Sequence, residues 1–378
     1  MFRQIKVSAP SKVILHGEHA VVYGKSAIAG SLDLRTRMCL TPLQENVLEV
    51  DFPDVGVKKQ WKSKEIKDRI LYKRPKTLHN QIEDLDSDFL QCIETFLGQG
   101  DFNKNEFQKS SLLCFFYLYS MLCDKFVSLQ IKVESEIPLG AGLGSSAALS
   151  VCLAAGLYAL KDPKMDEEAL DQICRYAFLS EKILHGNPSG IDNAVSTYGG
   201  FIHFKKQGLT SKIVPIDCSN CDLRILLVNT KVPRSTKTMV QNVKNSYHEY
   251  PEVIGPTLDA IDGLTKKCLE VLQNDQETNK TRTISQLVDY NQKLLETLGV
   301  SHPALEEVVK LAKVSGFSAK LTGAGGGGFA MIVIPCNAEE TILKEVKERL
   351  AKNGYDSYET SIGVDGVRVS IENVCISQ

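Results

Sequence analysis

The alternation of hydrophobic and polar side chains predicts strands in the first part of the chain. Across residues 32–40, leucine, threonine and methionine at even positions alternate with charged residues and a cysteine at odd positions, a period of two typical of a half-buried strand. Residues 129–135 alternate in the same way and lead directly into a glycine-rich segment, 138–147. Leucines and small residues without a proline fill residues 147–160, which indicates a buried helix. The pattern therefore predicts a strand, a glycine loop and a helix N-terminus in succession.

A polar, proline-containing segment interrupts this pattern before a new strand, which is predicted over residues 223–228. We place a domain boundary between residues 221 and 222, so that the chain divides into domains 1–221 and 222–378. A chain of 378 residues is also too long for one ordinary hydrophobic core, which agrees with two domains.

Helix and strand signals alternate in the second half. Helical periodicity extends over residues 235–315, and short apolar strands are predicted at 319–321 and 329–334, with a run of glycines between them. A further helix is predicted over 338–352, because its apolar residues lie on one face.

Two local signals refine the C-terminal end. Asn337, followed by Glu340 three residues later, is predicted to cap this helix in a capping box. A pair of strands turning at Asp365–Gly366 is predicted to close the chain. Strands and helices mixed without regular alternation predict an α+β fold in both halves.

Composition excludes several classes of function. Hydrophobic residues make up 43% and charged residues 24% of the chain, as in ordinary globular enzymes, and a formal net charge of −2 gives no reason to expect a nucleic acid or an anionic membrane as partner. The N-terminus lacks the apolar core of a signal peptide. The apolar stretch 112–123 is shorter than the roughly 18 residues of a membrane span, which favours a buried helix. Eleven scattered cysteines indicate reduced thiols, so we expect a cytoplasmic protein.

Several segments match known motifs only superficially. Residues 323–328 satisfy the dinucleotide pattern G-x-G-x-x-G, but an apolar strand follows where that pattern needs a helix. Residues 19–26 resemble a P-loop, but a histidine replaces its first glycine. Cys218 and Cys221 have metal-ligand spacing without a second pair, and the nine basic residues within 58–76 lack the interleaved aromatics of a nucleic-acid site.

The central glycine loop carries the strongest signal for chemistry. Gly140, Gly142 and Gly144 allow the backbone to turn its amides towards a ligand. Ser145 and Ser146 stand where the helix begins, and they add hydroxyls to the free amides and to the positive end of the helix dipole. A nucleoside triphosphate with its magnesium ion fits this chemistry. A glycine turn with a serine cap is the alternative, but three glycines and two serines exceed what a cap requires.

Two carboxylates flank the turn-forming segment 185–190. Glu181 precedes it at the end of a predicted helix, and Asp192 follows it in a loop or at a new helix start. One carboxylate could hold Mg²⁺ while the other lies near an attacking hydroxyl. A helix cap is the alternative interpretation of Asp192.

Lys12 lies within a strand that is otherwise predicted to be buried. A lone buried ammonium is costly without a partner, so Lys12 is either functional or a surface residue of an edge strand. Glu18 and His19 follow directly after this strand, a common place for ligand contacts. Five glycines among residues 323–328 indicate a close approach of the backbone to a ligand or to another loop.

These four segments, in this order, resemble the galactokinase, homoserine kinase, mevalonate kinase and phosphomevalonate kinase superfamily. The signature Pro-x-x-x-Gly-Leu-x-Ser-Ser-Ala is met over 138–147, and segments 12–24, 185–193, 229–236 and 320–328 are similar to the mevalonate kinase family in particular. The resemblance covers nearly the whole chain. It implies an N-terminal α+β domain, a ferredoxin-like C-terminal domain, and ATP-dependent phosphorylation of the C5 hydroxyl of mevalonate between them.

The resemblance also implies roles for individual residues. Asp192 would act as general base at the C5 hydroxyl, Lys12 would stabilise the developing charge, and Ser146 and Glu181 would ligate Mg²⁺. ATP would be held by Lys12, Ser135, Gly140, Ala141, Gly142, Leu143, Gly144, Ser145 and Ser146, and mevalonate or the phosphate path would be faced by Glu18, His19 and Thr236. A homodimer and feedback inhibition by prenyl diphosphates are further implications.

Two positions depart from the family pattern. Ser11 stands where the family usually has glycine, and Asp54 stands where it tends to offer asparagine near the adenine or ribose, so Asp54 is not included among the predicted site residues. The rival interpretations are a sister kinase for phosphomevalonate, homoserine or galactose, and a catalytically silent ligand sensor on the same fold.

Overall fold

The structure is a computed structural model that describes residues 2–75, 84–98, 106–138, 142–207, 210–218, 223–277 and 279–374. The strands are β1 (Phe2–His16), β2 (Ser26–Pro42), β3 (Val47–Phe52), β4 (Val57–Lys62), β5 (Leu129–Ser135), β6 (Phe201–Gln207), β7 (Thr210–Ile216), β8 (Leu223–Asn229), β9 (Ser318–Leu321), β10 (Phe329–Val333), β11 (Asp356–Ile362) and β12 (Arg368–Val374). The helices are α1 (Ser63–Arg69), α2 (Ser87–Gly98), α3 (Glu106–Leu122), α4 (Ser145–Ala159), α5 (Glu167–His185), α6 (Ile191–Tyr198), α7 (Thr236–Glu249), α8 (Pro251–Gln273), α9 (Lys280–Thr297), α10 (Pro303–Val314) and α11 (Glu340–Lys352). Short 3₁₀ helices lie at Ala20–Tyr23, Pro53–Val55 and Leu71–Lys73.

One hydrogen-bonded sheet connects both halves of the chain. Its main path is β4-β3-β5-β2-β11-β8-β10-β9, while β1 pairs with β2 and β12, and β6 pairs with β2 and β7. Two register shifts interrupt the β1–β2 pairing, between Pro10 and Ser11 and between Ile14 and His16. Because such irregularities bend a strand and redirect its side chains, Lys12 lies on a short segment between two bends.

The strands β8 to β11 form a split β-α-β arrangement. The chain runs from β8 through α7–α10 to β9 and β10, and then through α11 to β11. The spatial order is β11-β8-β10-β9, with antiparallel neighbours. This is the arrangement of a ferredoxin-like domain, so the predicted α+β class with a ferredoxin-like second half is confirmed. The predicted boundary between residues 221 and 222 falls outside the described residues.

Helix α3 lies within a hydrophobic core cluster that includes residues from both halves of the chain. Every residue from Ser111 to Met121 is buried, as expected for a helix that is apolar on all sides, and the buried helix predicted for 112–123 is confirmed. Helix α4 lies directly on the sheet, because a Cβ added at Gly156 would come within 2.1 Å of the Met38 side chain. This close packing fixes the C-terminal part of α4 against β2.

The predicted start of the last helix is wrong. Helix α11 begins at Glu340, with Glu339 as its N-cap and without a side-chain capping bond. Asn337 lies within a turn that closes when the N–H of Ala338 donates to the carbonyl oxygen of Pro335 at 3.0 Å. A local backbone turn therefore forms at the position where the sequence predicted a capping box.

The hairpin predicted at Asp365–Gly366 is also wrong. Strand β11 pairs with β8 and β2, whereas β12 pairs with β1. The buried guanidinium of Arg35 donates to the carbonyl oxygens of Asp365 at 3.0 Å and Gly366 at 2.6 Å. These bonds tie the connection to β2, and the two flanking strands diverge to different partners.

Candidate active site

The glycine loop joins β5 to α4, as predicted. Gly140 and Ala141 lie outside the described residues, and the description resumes at Gly142, Leu143 and Gly144. Gly142 and Gly144 have φ values of 68° and 77°. Side chains with a Cβ rarely adopt this left-handed conformation, so these two glycines are required by the course of the loop.

The N-terminus of α4 is open towards the loop. Gly144 is its N-cap, Ser145 and Ser146 are its first two residues, and no side chain makes a capping hydrogen bond. The alternative in which a serine caps the helix therefore does not hold. The first amides of α4 and the positive end of its dipole are directed towards a ligand position, an arrangement that binds phosphate.

Lys12 and Asp192 form an ion pair beside this loop. Lys12 Nζ lies 3.1 Å from Asp192 Oδ1, and Lys12 is only 8% exposed, so it is not a surface residue of an edge strand. The N–H of Lys12 donates to the carbonyl oxygen of Leu143 at 2.9 Å. A Cβ on Gly144 would lie 3.0 Å from Lys12 Cγ and 3.7 Å from Asp192 Oδ2. The glycine loop, the cation and the carboxylate therefore lie next to one another.

Asp192 is the second residue of α6 rather than its cap. The N-cap of α6 is Gly190, with a φ of 81°, and it makes no side-chain capping bond. The helix-cap interpretation of Asp192 is therefore excluded, and its carboxylate is left to interact with Lys12.

Glu181 and Ser146 face each other between α5 and α4. Glu181 Oε2 accepts a hydrogen bond from Ser146 Oγ at 3.3 Å, and Oε1 accepts one from Ser150 Oγ at 3.3 Å. Glu181 is 3% exposed. Burial, reinforced by the nearby charge of Asp192, raises the pKa of Glu181 to about 7. A cation at this position would compensate the buried negative charge.

These oxygen donors fit Mg²⁺. This ion is commonly held by only one or two protein carboxylates or hydroxyls, with phosphate oxygens and water completing its shell. Across the described ranges, no cluster of three or more histidine, cysteine, aspartate or glutamate side chains could hold a metal ion by itself. A metal bound between Ser146 and Glu181 would therefore depend on a nucleotide for further ligands.

A cavity of about 280 Å³ lies next to Ser145 and Ser146. Ser135 belongs to its wall, and the N–H of Ser135 donates to Asp54 Oδ2 at 2.7 Å. Other residues of the wall are Thr36, Phe52, Val55, Glu106, Phe107, Ser110, Ser111, Val133, Leu149, Leu184 and His185. A largely apolar cavity with a few polar groups, beside an amide-lined loop, suits a nucleoside whose phosphates lie on the loop.

Glu18 is engaged inside the protein. Its carboxylate forms an ion pair with Lys320 in which both side chains have 0% exposure. Its second oxygen accepts a hydrogen bond from Asn291 Nδ2 at 3.0 Å. Lys320 Nζ also donates to the carbonyl oxygen of Leu321 at 3.0 Å. This cluster fixes the end of β1 to β9 and α9.

His19 connects the end of β1 to the second glycine segment. Its backbone is left-handed, with a φ of 58°, and its Nε2 lies 2.9 Å from the carbonyl oxygen of Ala324. Burial lowers the pKa of His19, so the neutral ring donates through Nε2 to this carbonyl. Thr236 is an exposed residue at the start of α7, directly after the N-cap Ser235.

Arg234 lies within the family-like segment 229–236, although no sequence pattern assigns it a role. A Cβ on Gly142 would lie 1.7 Å from Arg234 Nη2, and a Cβ on Gly323 would lie 3.0 Å from Nη1. At Gly328, a Cβ would lie 2.8 Å from Arg234 Cδ. Burial lowers the pKa of Arg234, but a guanidinium remains charged at neutral pH. Glycines from two segments that are distant in the sequence thus leave space for the Arg234 side chain. A local sequence pattern cannot reveal such a long-range contact.

Comparison with known proteins shows where the chain belongs. The family model for the GHMP kinases N terminal domain matches residues 113–200, and the GHMP kinases C terminal model matches residues 270–356. The mevalonate kinase of Mus musculus is 40% identical over 381 residues, covering 96% of this chain and 94% of that protein. The chain belongs to the mevalonate kinase family.

Solved structures share the fold of this mevalonate kinase family member. The Methanococcus jannaschii mevalonate kinase superposes with a TM-score of 0.72 at 25% identity, covering 94% of this chain and 98% of that chain. The L. major mevalonate kinase in complex with R-mevalonate superposes with a TM-score of 0.69 at 22% identity, covering 96% of each chain. Among the described helices, none combines the length and the apolar character needed to span a membrane.

Proposed function

We propose that this chain transfers the γ-phosphoryl group of ATP to the C5 hydroxyl of mevalonate. The observation that carries the proposal is the position of the Lys12–Asp192 ion pair beside Gly144 of the loop. A phosphate bound by the loop amides would lie beside both a cation and a carboxylate. The near-full-length similarity to the mouse mevalonate kinase supports mevalonate as the acceptor.

Phosphoryl transfer through a loose transition state requires alignment and charge neutralisation more than covalent chemistry. Asp192 would accept a hydrogen bond from the C5 hydroxyl, orient its oxygen and take its proton as the new P–O bond forms. The bond between the γ-phosphorus and the bridging oxygen breaks, and ADP leaves with that oxygen. Lys12 and Arg234 would neutralise charge on the transferred group, and the loop amides would hold the remaining phosphates.

Mg²⁺ would be held by Ser146 and Glu181 and would neutralise phosphate charge when bound. The cavity beside Ser135 would receive the nucleoside of ATP, since it opens next to the start of α4. The phosphates would occupy the segment from Gly140 to Ser146, where Ala141 and Leu143 contribute through their backbone.

An ADP-release assay tests the proposal. The purified protein is offered mevalonate, phosphomevalonate, homoserine and galactose with Mg-ATP, and we expect turnover with mevalonate. Preference for another acceptor would favour a sister kinase, and no turnover with any acceptor would favour a ligand sensor. The Asp192→Asn protein, purified in the same way, controls for a contaminating kinase.

Other implications of the resemblance remain proposals. His19 and Thr236 would contact mevalonate or the phosphate path, and Glu18 would support this side of the site from within the protein, because its carboxylate is bound by Lys320 and Asn291. We also propose a homodimer, competition of prenyl diphosphates with ATP, a cytoplasmic location and a division into domains 1–221 and 222–378. Light scattering tests the dimer, and the inhibition pattern of a prenyl diphosphate against ATP tests the competition.

A further inference from the structure

His185 lies against both proposed metal ligands. It is the last residue of α5, one helical turn after Glu181. Its Nε2 lies 3.1 Å from Ser146 Oγ and 3.7 Å from Glu181 Oε2. The imidazole is 54% exposed and belongs to the wall of the cavity beside Ser145. No step of the proposed phosphoryl transfer uses this ring.

Metal binding by the Ser146 hydroxyl requires an acceptor for the hydroxyl hydrogen, and the contact with His185 can provide one. A hydroxyl binds a cation through an oxygen lone pair, so its hydrogen must point elsewhere, towards an acceptor. Ser146 Oγ has two acceptors within reach among the described residues, Glu181 Oε2 at 3.3 Å and His185 Nε2 at 3.1 Å. The Glu181 oxygen would itself face the cation. An imidazole that carries its hydrogen on Nδ1 then offers Nε2 as the acceptor that remains.

We propose that His185 is a positioning residue for the metal–nucleotide complex: its Nε2 accepts the hydrogen of the Ser146 hydroxyl and so directs an oxygen lone pair towards the cation. The inference rests on the proposed function, because it requires Ser146 and Glu181 to receive the metal ion of a bound nucleotide. Residues that orient metal ligands typically change metal affinity by about 10- to 100-fold when they are removed.

The test measures binding rather than turnover. Mn²⁺ binding in the presence of ATP is followed by electron paramagnetic resonance, and ATP binding without metal is followed by calorimetry. We expect His185→Phe to weaken Mn²⁺–ATP binding about 10-fold more than it weakens metal-free ATP binding, and retained metal-free binding also reports an intact fold. His185→Gln should recover most of the loss, because its side-chain oxygen can accept the same hydrogen. His248→Phe, at the exposed end of α7, is the matched control.

A double-mutant cycle separates this role from direct contact with the nucleotide. If His185 acts through Ser146, His185→Phe should have no further effect in the Ser146→Ala protein. Additive losses, or unchanged Mn²⁺ binding in His185→Phe, would overturn the proposal. The assignment of mevalonate as the phosphoryl acceptor can fail without affecting this test, because the binding measurements contain no mevalonate. A kinase for another phosphoryl acceptor would still show the effect of His185→Phe. A wild-type protein that binds no Mn²⁺–ATP would overturn both.

Discussion

Lys320 and Glu18 form an ion pair, between β9 and the segment that follows β1, in which neither side chain is exposed. Removal of one partner from such a pair leaves a buried charge without compensation, which typically costs about 3–5 kcal/mol. We therefore predict that Lys320→Met lowers the free energy of unfolding by about that amount. Urea denaturation followed by circular dichroism measures the change.

The neighbours of this pair provide its controls. Adding Glu18→Gln to Lys320→Met should recover part of the loss, because the charge is gone while the amide oxygen still accepts from Asn291. Lys267→Met removes an exposed lysine that pairs with Glu270 on α8 and should change stability by less than about 0.5 kcal/mol. A Lys320→Met protein as stable as Lys267→Met would contradict the prediction.

Asp192→Asn should separate nucleotide binding from turnover. The amide keeps the size of the side chain but loses the charge that would orient the hydroxyl and accept its proton. We expect kcat to fall by about 10²- to 10⁴-fold, while calorimetry shows near-normal affinity for ATP. A folded Asp192→Asn protein that no longer binds ATP would show that this carboxylate serves the nucleotide instead.

Local patterns predicted the elements of the site better than the contacts between them. The strand before the loop has the predicted bounds, Leu129–Ser135, because alternation over seven residues is a local property. The pairing of Lys320 with Glu18 spans 302 positions, and periodicity carries no information about such a contact. The same limit explains the hairpin error at Asp365–Gly366: the turn residues were recognised, but the partners of the flanking strands are decided elsewhere in the sheet.

Glu181→Gln should weaken metal binding at the proposed Mg²⁺ site. The amide oxygen is a poorer ligand for a hard cation than a carboxylate. We expect the free Mg²⁺ concentration for half-maximal activity to rise at least about 10-fold, with ATP binding in the absence of metal retained. Ser150→Ala removes the other hydroxyl bound to Glu181. Its effect should be smaller, since Ser150 donates to Oε1 whereas Ser146 donates to Oε2. An unaltered Mg²⁺ requirement in Glu181→Gln would exclude metal ligation by this residue.

Arg234→Gln should slow turnover, because the guanidinium is packed on Gly142 of the glycine loop, where we propose that the phosphates bind. Loss of one charge-stabilising donor typically costs about 10²- to 10³-fold in kcat. Arg234→Lys should lie between the wild type and Arg234→Gln, since it keeps the charge but not the planar fork that matches phosphate. Steady-state kinetics measures both variants, with Arg349→Gln on the exposed face of α11 as control. Wild-type kcat in Arg234→Gln would exclude a role in charge neutralisation.

His16 should make the fold sensitive to acid. Its ring is fully buried, neither nitrogen has a hydrogen-bond partner within the described part of the chain, and burial lowers its pKa well below 6.5. The nearby charge of Lys320 lowers the pKa further. Above about pH 6.5 the ring is neutral in both the folded and the unfolded chain, so it contributes no pH dependence. Below that value only the unfolded chain binds the proton, and this group lowers stability by up to about 1.4 kcal/mol per pH unit.

The contribution of His16 is measured by comparing the wild type with a variant that lacks the imidazole. Free energies of unfolding of the wild type and of His16→Leu are compared between pH 7.5 and 5.5, where other groups titrate in both proteins alike. We expect the wild type to lose more stability than the variant as the pH falls, with the gap opening below about pH 6.5. His248→Leu, an exposed histidine on α7, should leave the pH profile of the wild type unchanged. Parallel profiles for His16→Leu and the wild type would mean that His16 binds its proton in the folded protein as readily as in the unfolded chain.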